Sequence, residues 1–193
     1  MHEILTVEPL RQSLKERVKS RTGESVAMCY QCGKCSAGCP LVEEMDYAPN
    51  TILRMLQLDI PELDEKILRS LSIWLCLTCE TCFARCPKEV DFPAIMDYLR
   101  SESIRRNKVN PLARDILAFH KTFLDSVRMT GRLYEVGLIA GYKLRTGHLF
   151  QDLTVAPKMF FNGLLKLLPH NVKGKDAIAR MFSRTVELKE DNL

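Results

Sequence analysis

Eight cysteines constrain this chain more than any other feature. All of them fall in two copies of one pattern, Cys29-x2-Cys32-x2-Cys35-x3-Cys39-Pro40 and Cys76-x2-Cys79-x2-Cys82-x3-Cys86-Pro87, and none is left over. Three thiolates at intervals of three, on a tight turn, can wrap three iron corners of a cubane, while a fourth, offset residue completes another iron. Gly33 and Gly38 are expected to permit the close backbone turns that this requires in the first copy. Zinc could use paired C-x2-C units. A structural zinc site, however, closes with four tetrahedral ligands and gives no reason for a third cysteine followed by a spaced Cys-Pro, twice. Disulfides between residues three apart fit poorly the Cα separations a bridge needs. Two 4Fe-4S clusters are therefore the expectation, with zinc and disulfides as the alternatives.

In two-cluster ferredoxins the fourth cysteine of each run crosses to the other cluster. By that rule one cluster takes Cys29, Cys32, Cys35 and Cys86, and the other takes Cys76, Cys79, Cys82 and Cys39. With every thiol used as a ligand, no nucleophilic cysteine remains, and a saturated cubane leaves no open iron for substrate, so the expected role is electron transfer. There is no G-x-G-x-x-G, no G-x-x-x-x-G-K-[ST] and no H-E-x-x-H, which leaves nucleotide, flavin and zinc-hydrolase chemistry without a motif. His2, His120, His148 and His170 are scattered. Lys34, Arg85 and Lys88 lie in or beside the motifs, where they either compensate cluster charge or are simply exposed bases. Tyr30, Trp74, Phe83 and Phe92 either shield the clusters from water or pack the core.

At 193 residues, 46% hydrophobic and 27% charged, the chain suits one domain with an extension. Charges at Glu3, Glu8, Arg11 and Lys15 leave no apolar stretch for a signal peptide, and no apolar run approaches the length of a membrane span. A cytoplasmic protein without direct membrane insertion is expected, a compartment in which cysteines more often bind metal than pair. The formal net charge of +4 is uneven: residues 1–100 carry 12 Lys and Arg against 15 Asp and Glu, residues 101–193 carry 16 against 9. The basic residues of the second half are spread singly apart from Arg105, Arg106 and Lys108, which favours a solvated or protein-docking face over nucleic acid.

Helical periodicity runs through the rest. It predicts a helix over about 9–21, with Leu10, Leu14 and Val18 on one face, and short helices after Pro49 and Pro61. Asp91 is expected to cap a helix carrying Ile95 and Leu99. Asn110-Pro111 is expected to open a longer one, ending at Gly131, with Leu112, Ile116, Phe119, Phe123 and Val127 as its core stripe. Further helices are predicted over about 132–145, 157–168 and 175–187, and Phe160, Phe161, Leu164, Leu165 and Leu168 are the candidate face toward a neighbouring protein. No segment alternates as a strand does.

The runs Met28-Cys29-Tyr30-Gln31-Cys32-Gly33-Lys34-Cys35-Ser36-Ala37-Gly38-Cys39-Pro40 and Trp74-Leu75-Cys76-Leu77-Thr78-Cys79-Glu80-Thr81-Cys82-Phe83-Ala84-Arg85-Cys86-Pro87 resemble the iron-sulfur C subunit of the heterodisulfide reductases of methanogenic archaea. The resemblance implies a mainly α fold: an alpha-helical ferredoxin domain over 1–108 with two 4Fe-4S clusters, and a C-terminal set of amphipathic helices over 109–193 that docks to partners. It also implies a non-catalytic relay subunit. Electrons would pass from a flavin-containing electron-input subunit to a catalytic subunit with Cys-Cys-Gly motifs, which reduces the coenzyme M–coenzyme B heterodisulfide in methanogenesis. No adjacent cysteine pair occurs here, in keeping with a relay. The iron-sulfur subunit of another oxidoreductase complex is the alternative, and a free ferredoxin or a nucleic-acid-binding iron-sulfur module is a more distant one. A succinate or fumarate enzyme would add a plant-type C-x4-C-x2-C cluster, which is absent.

Overall fold

The computed structural model describes residues 12–148, 156–162, 169 and 172–190, and those residues form helices and turns with no strand. They divide into two compact units, Met1–Asn110 and Pro111–Leu193.

In the first unit α1 (Leu14–Thr22) begins at Ser13. The Ser13 hydroxyl accepts the Glu16 N–H while Glu16 reaches back to the Ser13 N–H, a reciprocal cap that satisfies two of the orphan donors at the helix start. The helix stops at Gly23, whose φ of 80° is left-handed. The helix starts later than the expected residue 9, because Ser13 takes an extended backbone (φ −63°, ψ 161°) to cap it and leaves Leu10, outside the described residues, ahead of the first turn. Short helices α2 (Lys34–Ala37), α5 (Ser72–Leu75) and α6 (Thr81–Ala84) sit in or beside the motifs, and α3 (Pro49–Leu58) and α4 (Pro61–Leu68) fill the space between them. Both α3 and α4 open on proline, which needs no N–H bond in a first turn. The long α7 (Phe92–Arg105) is capped as expected, with Asp91 Oδ1 accepting the Ala94 N–H at 2.9 Å.

Leu14 and Val18 of α1, Ile52 and Leu56 of α3, Ile67 and Leu68 of α4, and Ile95, Met96 and Leu99 of α7 are wholly buried. Each such side chain contributes about 1.5–3 kcal/mol on leaving water. This core fixes α7 beneath the motifs. One buried ionic centre ties the same helices: Glu102 accepts from Arg17 of α1 at 2.8 Å and from Arg105 and Arg106 at 2.8 and 2.6 Å. Lys108 pairs with Glu65 at 2.8 Å, so each member of the basic run Arg105-Arg106-Lys108 meets a carboxylate of its own unit.

The second unit departs from expectation. A 3-10 turn at Pro111–Ala113 precedes α8 (Arg114–Thr130), so Asn110 does not cap that helix; its side-chain amide donates to the Arg69 carbonyl at 2.8 Å. The expected stripe is not the buried one. Phe119 is 44% and Phe123 38% exposed, while α8 buries Thr122, Ser126 and Thr130. The reason lies in α9 (Glu135–Thr146): a Cβ at Gly141 would stand 2.6 Å from Thr122 Cγ2, so the helices approach through small residues and the bulky stripe is rotated outward. Arg145 completes the seam by donating to Thr122 Oγ1 at 2.6 Å. Helices α10 (Ala156–Phe161) and α11 (Lys175–Glu190) follow. Of the candidate partner face, Phe160 and Phe161 fall on α10, Phe161 is 84% exposed, and Leu164, Leu165 and Leu168 lie outside the described residues. Among the described residues no helix is long and apolar enough to cross a membrane.

Candidate metal centres

Both motifs fold alike. The residues two and four places after the first cysteine are left-handed in each copy: Gln31 (φ 62°) and Gly33 (φ 77°), Thr78 (φ 50°) and Glu80 (φ 59°). These reversals let the chain turn back between successive cysteines, at a cost of about 1–2 kcal/mol for each residue that carries a Cβ. A single helical turn then carries the third cysteine, Cys35 on α2 and Cys82 on α6. Gly33 thus serves the turn as expected. Gly38 does not: its φ is −104°, open to any residue, and its smallness instead admits Arg85, whose Cδ would lie 2.6 Å from an added Cβ. Arg85 and Gly38 hold the same place in their motifs, each one residue before the fourth cysteine.

The cysteines line two hollows. The first is walled by Cys29, Cys32, Cys35 and Cys86, together with Cys82; the second by Cys76, Cys79, Cys82 and Cys39. Phe92 borders both. Cys32 and Cys79, the second cysteine of each motif, are exposed and the other six are half-buried. Among the described residues no carboxylate or imidazole lines either hollow. Nor, among the described residues, do three His, Cys, Asp or Glu side chains gather as ligands of one metal ion would. A cubane asks for something different, four sulfurs each on its own iron, and the sulfur-only donor set fits it.

Burial pushes the thiols of Cys35 and Cys76 up, and burial together with the neighbouring Cys76 and Cys35 drives Cys82 to about 11. Such thiols stay protonated near neutrality unless a bound cation deprotonates them outright. Exposed Cys79 is held down by Thr81, whose hydroxyl lies 3.5 Å from the sulfur. Gln31 Nε2 and the Val90 N–H donate to the sulfurs of Cys29 and Cys86, each at 3.4 Å.

The loops are also pinned from behind, by residues that the cysteine spacing does not reveal. Gln57, at the end of α3, donates from Nε2 to the carbonyls of Val26 at 2.8 Å and Cys29 at 2.6 Å. Arg100 of α7 donates from Nε to the Ile73 carbonyl and from Nη2 to the Cys76 carbonyl. Its charge works against the burial that raises the Cys76 pKa. The signal in the sequence is faint: Gln57 follows the buried Leu56 and Arg100 follows the buried Leu99, polar residues at the edge of an apolar helix face.

The flanking residues divide between their two expected roles. Lys34 and Lys88 line the first hollow, and Lys34, Arg85 and Lys88 are all exposed. Phe92 is a shared wall, and Tyr30 lines the first hollow while 55% exposed. Trp74 is a core residue at 5% exposure that borders neither hollow, and Phe83 is 39% exposed. His120 is on the surface.

Comparison with known proteins bears on the same residues. The 4Fe-4S dicluster domain family matches residues 25–90, a span holding all eight cysteines. Over 108 residues the chain is 27% identical to the C subunit of the H2:CoB-CoM heterodisulfide,ferredoxin reductase of Methanothermobacter thermautotrophicus, covering 56% of this chain and 57% of that one. It is 42% identical over 66 residues to the iron-sulfur C subunit of the CoB-CoM heterodisulfide reductase of Methanopyrus kandleri, covering 34% and 33%. The probable glycolate oxidase iron-sulfur subunit of Bacillus subtilis is 24% identical over 196 residues, 96% of this chain and 41% of that protein. The chain spans less than two-thirds of the length of each of these relatives. Residues 25–90, with every cysteine among them, therefore match a 4Fe-4S dicluster domain, and the chain resembles the iron-sulfur C subunits of the heterodisulfide reductases of methanogens.

Proposed function

We propose that this chain is a non-catalytic relay subunit with two 4Fe-4S clusters, one on Cys29, Cys32, Cys35 and Cys86 and the other on Cys76, Cys79, Cys82 and Cys39. The observation that supports the reading is that Cys86 lines the first hollow beside Cys29, Cys32 and Cys35, while Cys39 lines the second beside Cys76, Cys79 and Cys82. Each bound cluster supplies one-electron chemistry and nothing else. The chain's own residues hold the sulfurs on tight turns and leave Cys32 and Cys79 as exposed edges where partners can approach. Cys82 and Phe92, common to both hollows, form the short path between them.

Within a heterodisulfide reductase complex the electrons come from the flavin-containing subunit and go to the Cys-Cys-Gly catalytic subunit that reduces the coenzyme M–coenzyme B heterodisulfide. On this reading residues 1–108 are the alpha-helical ferredoxin domain and 109–193 the partner-docking extension. The names of the relatives, C subunits of such enzymes, support it. A second reading is favoured by the glycolate oxidase match, which runs along 96% of this chain, well past the cysteines: a relay subunit of another oxidoreductase complex. Anaerobic capture of the chain from its native extract, with partners identified by mass spectrometry, separates them. A flavoprotein and a Cys-Cys-Gly protein are expected. A dehydrogenase lacking Cys-Cys-Gly motifs would favour the second reading, and recovery of the chain alone would overturn both.

A further inference from the structure

The two motifs are pinned at equivalent carbonyls by residues of different charge. Val26 and Cys29 in the first copy correspond to Ile73 and Cys76 in the second: in each copy, the first cysteine and the residue three before it. A neutral amide, Gln57, holds the first pair of carbonyls, and a guanidinium, Arg100, holds the second. The Arg100 side chain is only 19% exposed, and its carboxylate partner Asp97, 2.9 Å away, is 61% exposed and offsets part of its charge. On the other side Lys34 and Lys88 line the first hollow as exposed side chains, and two further cations stay behind the amide. Lys15 and Arg54 reach the Gln57 main-chain and side-chain oxygens, both at 3.4 Å, and Arg54 is exposed. The donors on the first set's sulfurs, Gln31 and the Val90 N–H, are neutral dipoles.

We infer that Arg100 is a positioning residue that tunes one cluster of the module. Its half-buried charge raises the reduction potential of the cluster on Cys76, Cys79, Cys82 and Cys39, because hydrogen bonds and net charge beside the ligands tune such potentials. The inference rests on the two-cluster reading proposed above.

The test is an EPR-monitored redox titration of the full, anaerobically loaded chain, with iron counted in every sample. Arg100→Gln makes the second clamp chemically like the first, Arg100→Lys keeps the charge but loses the fork, and Asp97→Asn removes the screening carboxylate. Arg100→Gln is expected to lower one midpoint only, by about a tenfold change in reduced fraction, which is 59 mV for one electron. Loss of the same signal in Cys79→Ala identifies its cluster. Arg100→Lys should stay near the parent, and Asp97→Asn should shift the same midpoint upward. Unchanged midpoints in Arg100→Gln, equal shifts of both, or a shift in Arg100→Lys as large as in Arg100→Gln would overturn the role. If Arg100→Gln fails to load, an unmoved midpoint in Asp97→Asn overturns it instead. A parent chain holding fewer than two clusters would sink the underlying reading before any variant is compared.

Discussion

Replacing Glu102 by Gln tests what holds the first unit together. The carboxylate is 4% exposed and accepts hydrogen bonds from Arg17, Arg105 and Arg106, joining α1 to the end of α7. Breaking a buried pair by removing one partner costs about 3–5 kcal/mol. Here the arginines are 22%, 52% and 29% exposed and can turn partly to water, which brings the expected loss to about 2–3 kcal/mol, or on the order of 10 °C in Tm. Burial works to raise the Glu102 pKa, but hydrogen bonding from Arg105 and the charges of Arg17, Arg105 and Arg21 outweigh it and hold the value below the usual carboxylate range. A depressed folded-state pKa means that the contribution is complete above the unfolded value and is lost as pH falls through the folded one. Chemical denaturation of the loaded chain, followed by far-UV circular dichroism, should therefore give a difference between parent and Glu102→Gln that holds steady from pH 7 to 5. Equal stabilities at pH 7 would refute the argument, as would a difference already fading above pH 5.

Glu80→Gly should stabilise the loaded chain by about 0.5–1 kcal/mol, since Glu80 occupies at φ 59° the place that Gly33 fills in the first motif; equal or lower stability would show the strain is not there. Asp46→Ala should cost about 1–2 kcal/mol, because Asp46 accepts the N–H groups of Leu71 and Ser72, both at 2.9 Å, where α5 leads into Cys76; faster loss of iron to a chelator would register the loosened loop. Truncation after Asn110 should leave the iron content unchanged, and loss of iron would make the second unit part of the cluster-binding core.

The cysteine spacing made the site legible because ligand geometry is local: three-residue intervals demand the same turn wherever they occur. Pro49, Pro61 and Asp91 marked helix starts for a similar reason, each acting within one turn of its own position. The clamps were illegible, since Gln57 lies 28 residues after Cys29 and Arg100 lies 24 after Cys76, and only the packing of α3 and α7 brings them to those carbonyls. On α8 periodicity alone cannot choose between two neighbouring stripes. Phe119, Phe123 and Val127 make one and Thr122, Ser126 and Thr130 the other, and hydrophobicity favours the first. The choice was made by Gly141 on another helix, which lets a backbone come close enough to bury threonine.

The exchange of fourth cysteines is the central claim, and one variant addresses it. Cys86→Ala, loaded anaerobically and examined by EPR and Mössbauer spectroscopy beside Cys79→Ala, should damage a different cluster from the one that Cys79→Ala damages. The parent should hold about eight irons per chain. If the two variants lose the same cluster, each motif serves its own cubane and the account is wrong.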